Sequence, residues 1–220
     1  VTLRSLHTPG HSPDSISIVA QENNSDVAVF TGDTLFVGDV GRPDLREGAG
    51  SVHATRESLA RDMYHSTREK LLKLSDEVTV YPAHGAGTLC GKNLSTERSS
   101  TIGKERKYNP ALQKMTEDEF VSCLLSDQPF MPIYFGYNVE LNRQGTLPTP
   151  DSVQANIKTV EPGKNLVIDV RSAYDFRCGH VAGAFNIPAG DNDKFETWAG
   201  SIIAPKEPIV IYGNDMNEIH

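Results

Sequence analysis

Three short segments of this 220-residue chain carry metal-binding side chains at places where the backbone must turn. They read HTPGHSPDS, with His7 and His11, FTGDTLF, with Asp33, and YPAHGAG, with His84. Neutral imidazole nitrogen and carboxylate oxygen are the donors that hold zinc or non-haem iron. Singly, a histidine in a turn more often caps or solvates than ligates, and an Asp after Gly can be a plain Asx turn. Together the three share one design. A strand-like run ends, Gly10, Gly32 or Gly85 lets the backbone approach closely, and a donor side chain sits at the turn. Ligands carried on strand ends converge on one sheet edge even when far apart in sequence.

The elements that must position them follow from periodicity. SISIVA alternates polar and apolar residues, ENNSD is a turn cluster, and VAVFTGD is a short apolar run, so residues 12–37 read as strands. The loop GDVGRPDLREGAG is too polar and too broken to pack. Residues 51–74 carry Leu59, Met63, Leu71, Leu72 and Leu74 near a 3.6-residue period, which predicts a helix. DEVTVYPAHGAG is a strand that runs into the His84 loop. Residues 93–107 and 116–125 read as further helices, the second capped by Thr116 with the acidic residues of TEDEF in its first turn. Pro129, Pro132, Pro148 and Pro150, with several aromatics, mark residues 129–151 as a packed connector leading to a boundary near Thr146. Beyond it come helix-like DSVQANIK, strand NLVIDVRS, a helical turn, FNIPAG and strand PIVIYG. That alternation predicts a parallel α/β sheet.

Composition restricts the partners. Hydrophobic residues make up 38% and charged residues 23%, ordinary values for a soluble globular protein. The net charge of −8 argues against nucleic acid and against an anionic membrane surface. No apolar run approaches the roughly 18 to 20 residues of a membrane span, and VTLRSLHTPG shows no export signal. Cys90, Cys123 and Cys178 lack C-x-x-C spacing, so reduced thiols in a cytoplasmic protein are expected. Cys123 reads as core and Cys90 as a small buried thiol, with receipt of sulfane sulfur as its alternative. His53 and His65 read as solvated or capping residues, and Arg98–Lys107 as a solvated helix face.

TPGHS, TGDTLF and YPAHG, in that order, resemble the last three metal-ligand segments of the metallo-β-lactamase fold. With GDVGRPDL, they are most similar to persulfide dioxygenases within that superfamily. The resemblance covers residues 1–145. It implies that His11 and Asp33 are two of three Fe(II) ligands and that His84 lines the same cavity. In hydrolytic relatives such as glyoxalase II, the counterpart of Asp33 bridges two zinc ions and that of His84 binds the second. The family's opening motif, His-x-His-x-Asp-His, would precede residue 1, so the resemblance implies a C-terminal half of the αββα sandwich. The His84 loop also lacks the Asp-Tyr that glutathione-using relatives often carry. Arg42, with Asp39 and Asp44, is the candidate catalytic support: Arg42 either pairs with Asp44 to pin the loop or faces an anionic substrate, and both readings stand.

NLVIDVRSAYDFRCGHVAGAFNIP resembles the rhodanese signature through Asp169, Arg171, Gly179, His180, Gly183, Ala184, Asn186 and Pro188. Active rhodaneses carry a cysteine after the next strand, in a loop that lowers its pKa. Here PIVIY is followed by Gly213, Asn214, Asp215 and Met216, no cysteine follows Cys178, and Asp215 and Glu218 would repel a thiolate. Residues 146–220 therefore resemble a degenerate, truncated rhodanese-like domain in which Arg171 and His180 serve the fold. The fold class expected is α/β. The function implied is an iron-dependent persulfide dioxygenase of sulfide detoxification, taking a low-molecular-weight persulfide and dioxygen to sulfite and thiol. An active rhodanese domain or protein is the implied partner, and a homo-oligomer the expected assembly. The alternatives are a dizinc thioester hydrolase of the glyoxalase II kind and a non-enzymatic scaffold.

Overall fold

The computed structural model describes residues 1–46, 54–86, 88, 90–92, 95–128, 130–145, 165–190 and 193–214. The chain divides into two compact units, Val1–Phe130 and Met131–His220. The boundary expected near Thr146, the helix expected over 151–158, His53, Asp215 and Glu218 lie outside the described residues.

The first unit opens with an antiparallel meander of β1 (Thr2–His7), β2 (Ile16–Glu22) and β3 (Ser25–Gly32). Asn23 and Asn24 turn β2 into β3 with φ of 51° and 64°, the left-handed pair that a tight hairpin needs. A small hairpin, β4 (Leu35–Phe36) with β5 (Asp39–Val40), follows. Helix α1 (Arg56–His65) continues through a wider turn at Ser66–Lys70 and a tighter one at Leu71–Lys73. It supplies the crossover that lets β6 (Thr79–Pro82) pair parallel to β3. β7 (Ser100–Thr101) closes the sheet in the order β1-β2-β3-β6-β7. Helices α2 (Ile102–Tyr108) and α3 (Glu117–Leu125) complete the unit.

Strand alternation sends Val19, Val29 and Val80 to one face, where they pack with Met63, Leu71, Phe120 and Leu124 in a single core. The opposite face leaves Leu3, Ile16, Phe30 and Tyr81 exposed. The helix expected over 93–107 is shorter than its composition suggested. It begins at Ile102, after β7, where the Thr101 side chain accepts from Lys104 N–H. Cys123, expected in the core, is exposed, because the buried stripe of α3 runs through Phe120, Val121 and Leu124.

The second unit begins with α4 (Tyr134–Gln144), a helix inside the stretch expected to be a connector. Pro132 ends just ahead of it, its carbonyl accepting from Phe135 N–H, so the prolines flank the helix rather than break it. Then come β8 (Leu166–Asp169), α5 (Ala173–Cys178), β9 (Phe185–Asn186), α6 (Phe195–Ile202) and β10 (Ile209–Tyr212). The three strands form a parallel sheet in the order β10-β8-β9, as the alternating pattern predicted. Asp169, fully buried at the end of β8, accepts two hydrogen bonds from the Arg171 guanidinium, at 3.0 Å from Nε and 2.7 Å from Nη2. Arg171 also donates to the Gly179 carbonyl, while Asn186 Nδ2 donates to the carbonyls of Asp169 and Arg171. His180 Nδ1 donates to the Phe176 carbonyl at 2.9 Å. Among the described residues no helix is long and apolar enough to cross a membrane.

Candidate metal centre

The sheet brings the three sequence words to one edge. Parallel pairing sets Gly32 opposite Pro82, so Asp33 and His84 emerge side by side, and Ala83 N–H donates to the Gly32 carbonyl at 3.0 Å. Antiparallel pairing of β2 with β1 and β3 returns the β1–β2 loop, with His11, to the same edge. Buried hydroxyls stitch these loops together: Thr8 Oγ1 lies 3.0 Å from Ser17 Oγ and 3.1 Å from Thr34 Oγ1. A fully buried Phe36 packs its ring 4.9 Å from that of His84.

The donors meet at one oxygen. Asp33 Oδ2 is 3.1 Å from His84 Nε2 and 3.4 Å from His11 Nε2. The other nitrogen of His11, Nδ1, is 2.9 Å from the Arg42 carbonyl oxygen. A carbonyl can only accept, so Nδ1 carries the proton and, in neutral imidazole, Nε2 presents its lone pair to the carboxylate. Two acceptors facing each other at this distance are repulsive unless a positive charge joins them. Metal-bound histidines commonly donate their other N–H to a backbone carbonyl in this way, which fixes the tautomer and the ring. His11, Asp33 and His84 thus fit a metal ion by donor chemistry and by the orientation of His11. His84 Nδ1 is buried without a hydrogen-bond partner among the described residues.

The GDVGRPDL loop closes over this edge. Arg42, only 1% exposed, pairs with Asp44 through Nε to Oδ1 at 2.7 Å and Nη2 to Oδ2 at 2.6 Å. Its backbone works on both sides, the carbonyl toward His11 and the N–H donating to the Cys90 carbonyl at 3.0 Å. Asp39 accepts from its neighbour Val40 N–H and from Lys92 N–H, the latter at 2.7 Å. Gly41 lies so close to two of these donor residues that an added Cβ would fall 1.9 Å from the Asp33 carbonyl oxygen and 3.2 Å from His11 Cβ. His7, by contrast, faces the Pro13 carbonyl at 3.0 Å, and His65 pairs with Glu69 at 2.8 Å.

Two residues take places that the sequence did not assign to them. Cys90, half-buried, places its sulfur with an Asp33 oxygen and a His84 nitrogen so that all three atoms lie within 4.8 Å of one another. Burial pushes its thiol pKa up, against the opposing pull of the Thr88 hydroxyl, and the Asp33 carboxylate pushes in the same upward direction. Glu105, 2% exposed inside the basic run read as solvated, accepts from Gly38 N–H and Asn109 Nδ2, each at 2.9 Å, anchoring the loop from behind. Its only sequence signal is the three-residue spacing from buried Ile102.

Comparison with known proteins bears on the fold. Residues 1–84 match the model of the metallo-beta-lactamase superfamily, and residues 149–219 match that of the rhodanese-like domain. The chain carries a metallo-β-lactamase fold followed by a rhodanese-like domain. A crystal structure of a metallo-beta-lactamase from Staphylococcus aureus superposes with a TM-score of 0.77 at 33% identity, covering 99% of this chain and 60% of that one. A probable metallo-hydrolase of Burkholderia pseudomallei is 30% identical over 69% of this chain and 50% of its own length. The human mitochondrial persulfide dioxygenase is 28% identical over 67% of this chain and 50% of its own length. The chain spans about two fifths to half of the length of the curated relatives it matches. Within this fold His11 and Asp33 lie on early loops and His84 on a later one.

Proposed function

We propose that the full protein carrying this chain is an iron-dependent persulfide dioxygenase, with His11, Asp33 and His84 contributing to its metal centre. The observation that carries this reading is the meeting of the His11 imidazole with the Asp33 carboxylate, with His84 at the same oxygen, donors of the kind that hold non-haem iron. The similarity to human persulfide dioxygenase supports it. The reaction is R–S–SH + O2 + H2O giving R–SH, sulfite and two protons. Bound Fe(II) would supply the dioxygen chemistry. The protein's residues hold its geometry. The Arg42 carbonyl keeps His11 in the tautomer whose Nε2 faces the centre, and the Arg42–Asp44 pair keeps that carbonyl in place. Phe36 packs against His84 beside the donors.

The rhodanese-like domain acts as a spacer in this reading, since its Asp169–Arg171 frame is spent on turns. A separate active rhodanese domain or protein would combine the sulfite with a second persulfide to give thiosulfate and thiol. The setting is cytoplasmic and the assembly homo-oligomeric.

A second reading is a dizinc thioester hydrolase. It is favoured by the approach of both histidines to the Asp33 carboxylate, which would be shared between two ions, and by the similarity to a metallo-hydrolase. The test loads the metal-stripped full protein with Fe(II) or Zn(II). Oxygen uptake with sulfite release on adding glutathione persulfide to the iron form is the expected result. Hydrolysis of S-D-lactoylglutathione by the zinc form, with no oxygen uptake by the iron form, would favour the second reading. A full protein that retains no metal would leave the scaffold reading.

A further inference from the structure

We infer that Cys90 is itself a metal ligand of this centre, binding through Sγ alongside Asp33 and His84. The inference rests on the metal reading of the site and on neither proposed reaction. Three different donor types, sulfur, oxygen and nitrogen, come from three separate positions and lie within 4.8 Å of one another. Metal bonds of about 2.1 to 2.3 Å set tetrahedral ligand edges at roughly 3.4 to 3.8 Å. The three atoms therefore need to close by no more than about 1.0 to 1.4 Å, a distance that side-chain rotation covers.

The backbone holds Cys90 there from both sides. Its carbonyl accepts from Arg42 N–H at 3.0 Å, and its own N–H donates to Thr88 Oγ1 at 3.1 Å. The peptide whose carbonyl orients His11 thus begins at the residue that anchors Cys90. One residue, Arg42, registers two donor side chains through its main chain. That placement distinguishes Cys90 from Cys123 and Cys178, which are exposed and belong to no donor cluster among the described residues.

The chemical consequence is a mixed N/O/S set. On coordination the thiol proton passes to solvent as the sulfur–metal bond forms. A thiolate draws the site toward iron, zinc and cobalt and away from magnesium, calcium and manganese, which want oxygen.

The test uses the full protein with and without Co(II), and the three cysteines serve as one another's controls. Alkylation by iodoacetamide is followed residue by residue by mass spectrometry. The metal should slow Cys90 about tenfold or more, because a coordinated thiolate is withdrawn from attack, and leave Cys123 and Cys178 unchanged. The Co(II) form should also show a near-ultraviolet thiolate-to-metal charge-transfer band, absent in Cys90→Ser. Equal labelling of Cys90 with and without metal overturns the inference. So does protection without the band, which would mean mere shielding. Where Cys90→Ser does not fold, the band and the selective protection in the unmodified protein decide. Oxygen uptake with Cys90 unprotected sinks this inference alone, whereas a protected Cys90 in a thioester hydrolase sinks the dioxygenase reading alone.

Discussion

Asp33 and Asp169 make an instructive pair. Each ends a strand of a sheet, each stands beside a turn, and each has an arginine and a histidine within a dozen residues or in the neighbouring loops. Asp169 is saturated: Arg171 fills its oxygens, Asn186 ties the surrounding carbonyls, and His180 is turned to Phe176. Asp33 instead faces imidazole nitrogens, and the arginine of its loop is committed to Asp44. The same residue types yield architecture where arginine fills the carboxylate, and a candidate cation site where imidazole nitrogens converge on it.

The contrast breaks first at Asp33. Asp33→Asn should reduce metal retention in the full protein by about 100-fold or more while leaving thermal unfolding of the metal-free protein within about 2 °C, since the amide oxygen can still accept from His84 Nε2. Metal analysis with differential scanning calorimetry checks both halves. Loss of folding rather than of metal would make Asp33 another Asp169.

Arg42→Lys comes next. A lysine cannot reproduce the two-bond pair with Asp44, so the loop should loosen and metal affinity fall about 10-fold through His11, as read by competition with a chelator. Asp169→Ala should do the opposite. It should lower the melting temperature of the second unit by on the order of 5 °C with no change in metal content.

The smallest effect belongs to Thr116, whose side chain caps α3 in a reciprocal arrangement with Glu119. Thr116→Ala should cost about 1 kcal/mol, seen in unfolding of the first unit only. Backbone and side-chain hydrogen bonds from Thr116 hold the Glu119 carboxyl below its ordinary pKa. A lowered pKa means that this part of the cap's contribution is present above the ordinary glutamate range and is lost as pH falls through it. The difference between the parent and Thr116→Ala should therefore shrink between pH 7 and pH 3.

Much of this was legible in the chain because turn chemistry is local. The TEDEF cap, the Asn23–Asn24 hairpin and the three strand-end words each announce themselves within a few residues, and the sheet then brings the words together. What was not legible depends on approach from elsewhere. Cys90 lies only six residues beyond His84, but no spacing rule says that a loop returns its sulfur to Asp33. Glu105 hides in a basic run because its partners, Gly38 and Asn109, come from another loop and the next turn. Cys123 misled because an apolar helix has two sides, and it falls one step off the stripe set by Phe120 and Leu124. The helix at Tyr134–Gln144 was masked by the prolines that bracket it.

Gly41 acts as a spacer of zero thickness between two working parts. Any side chain there would be a wedge driven between the Asp33 peptide and the His11 Cβ, prising the loop from the strand end and taking His11 out of aim. Gly41→Ala is thus a lever on the centre from a residue that can never touch it, and the position is closed to ordinary sequence drift by volume alone.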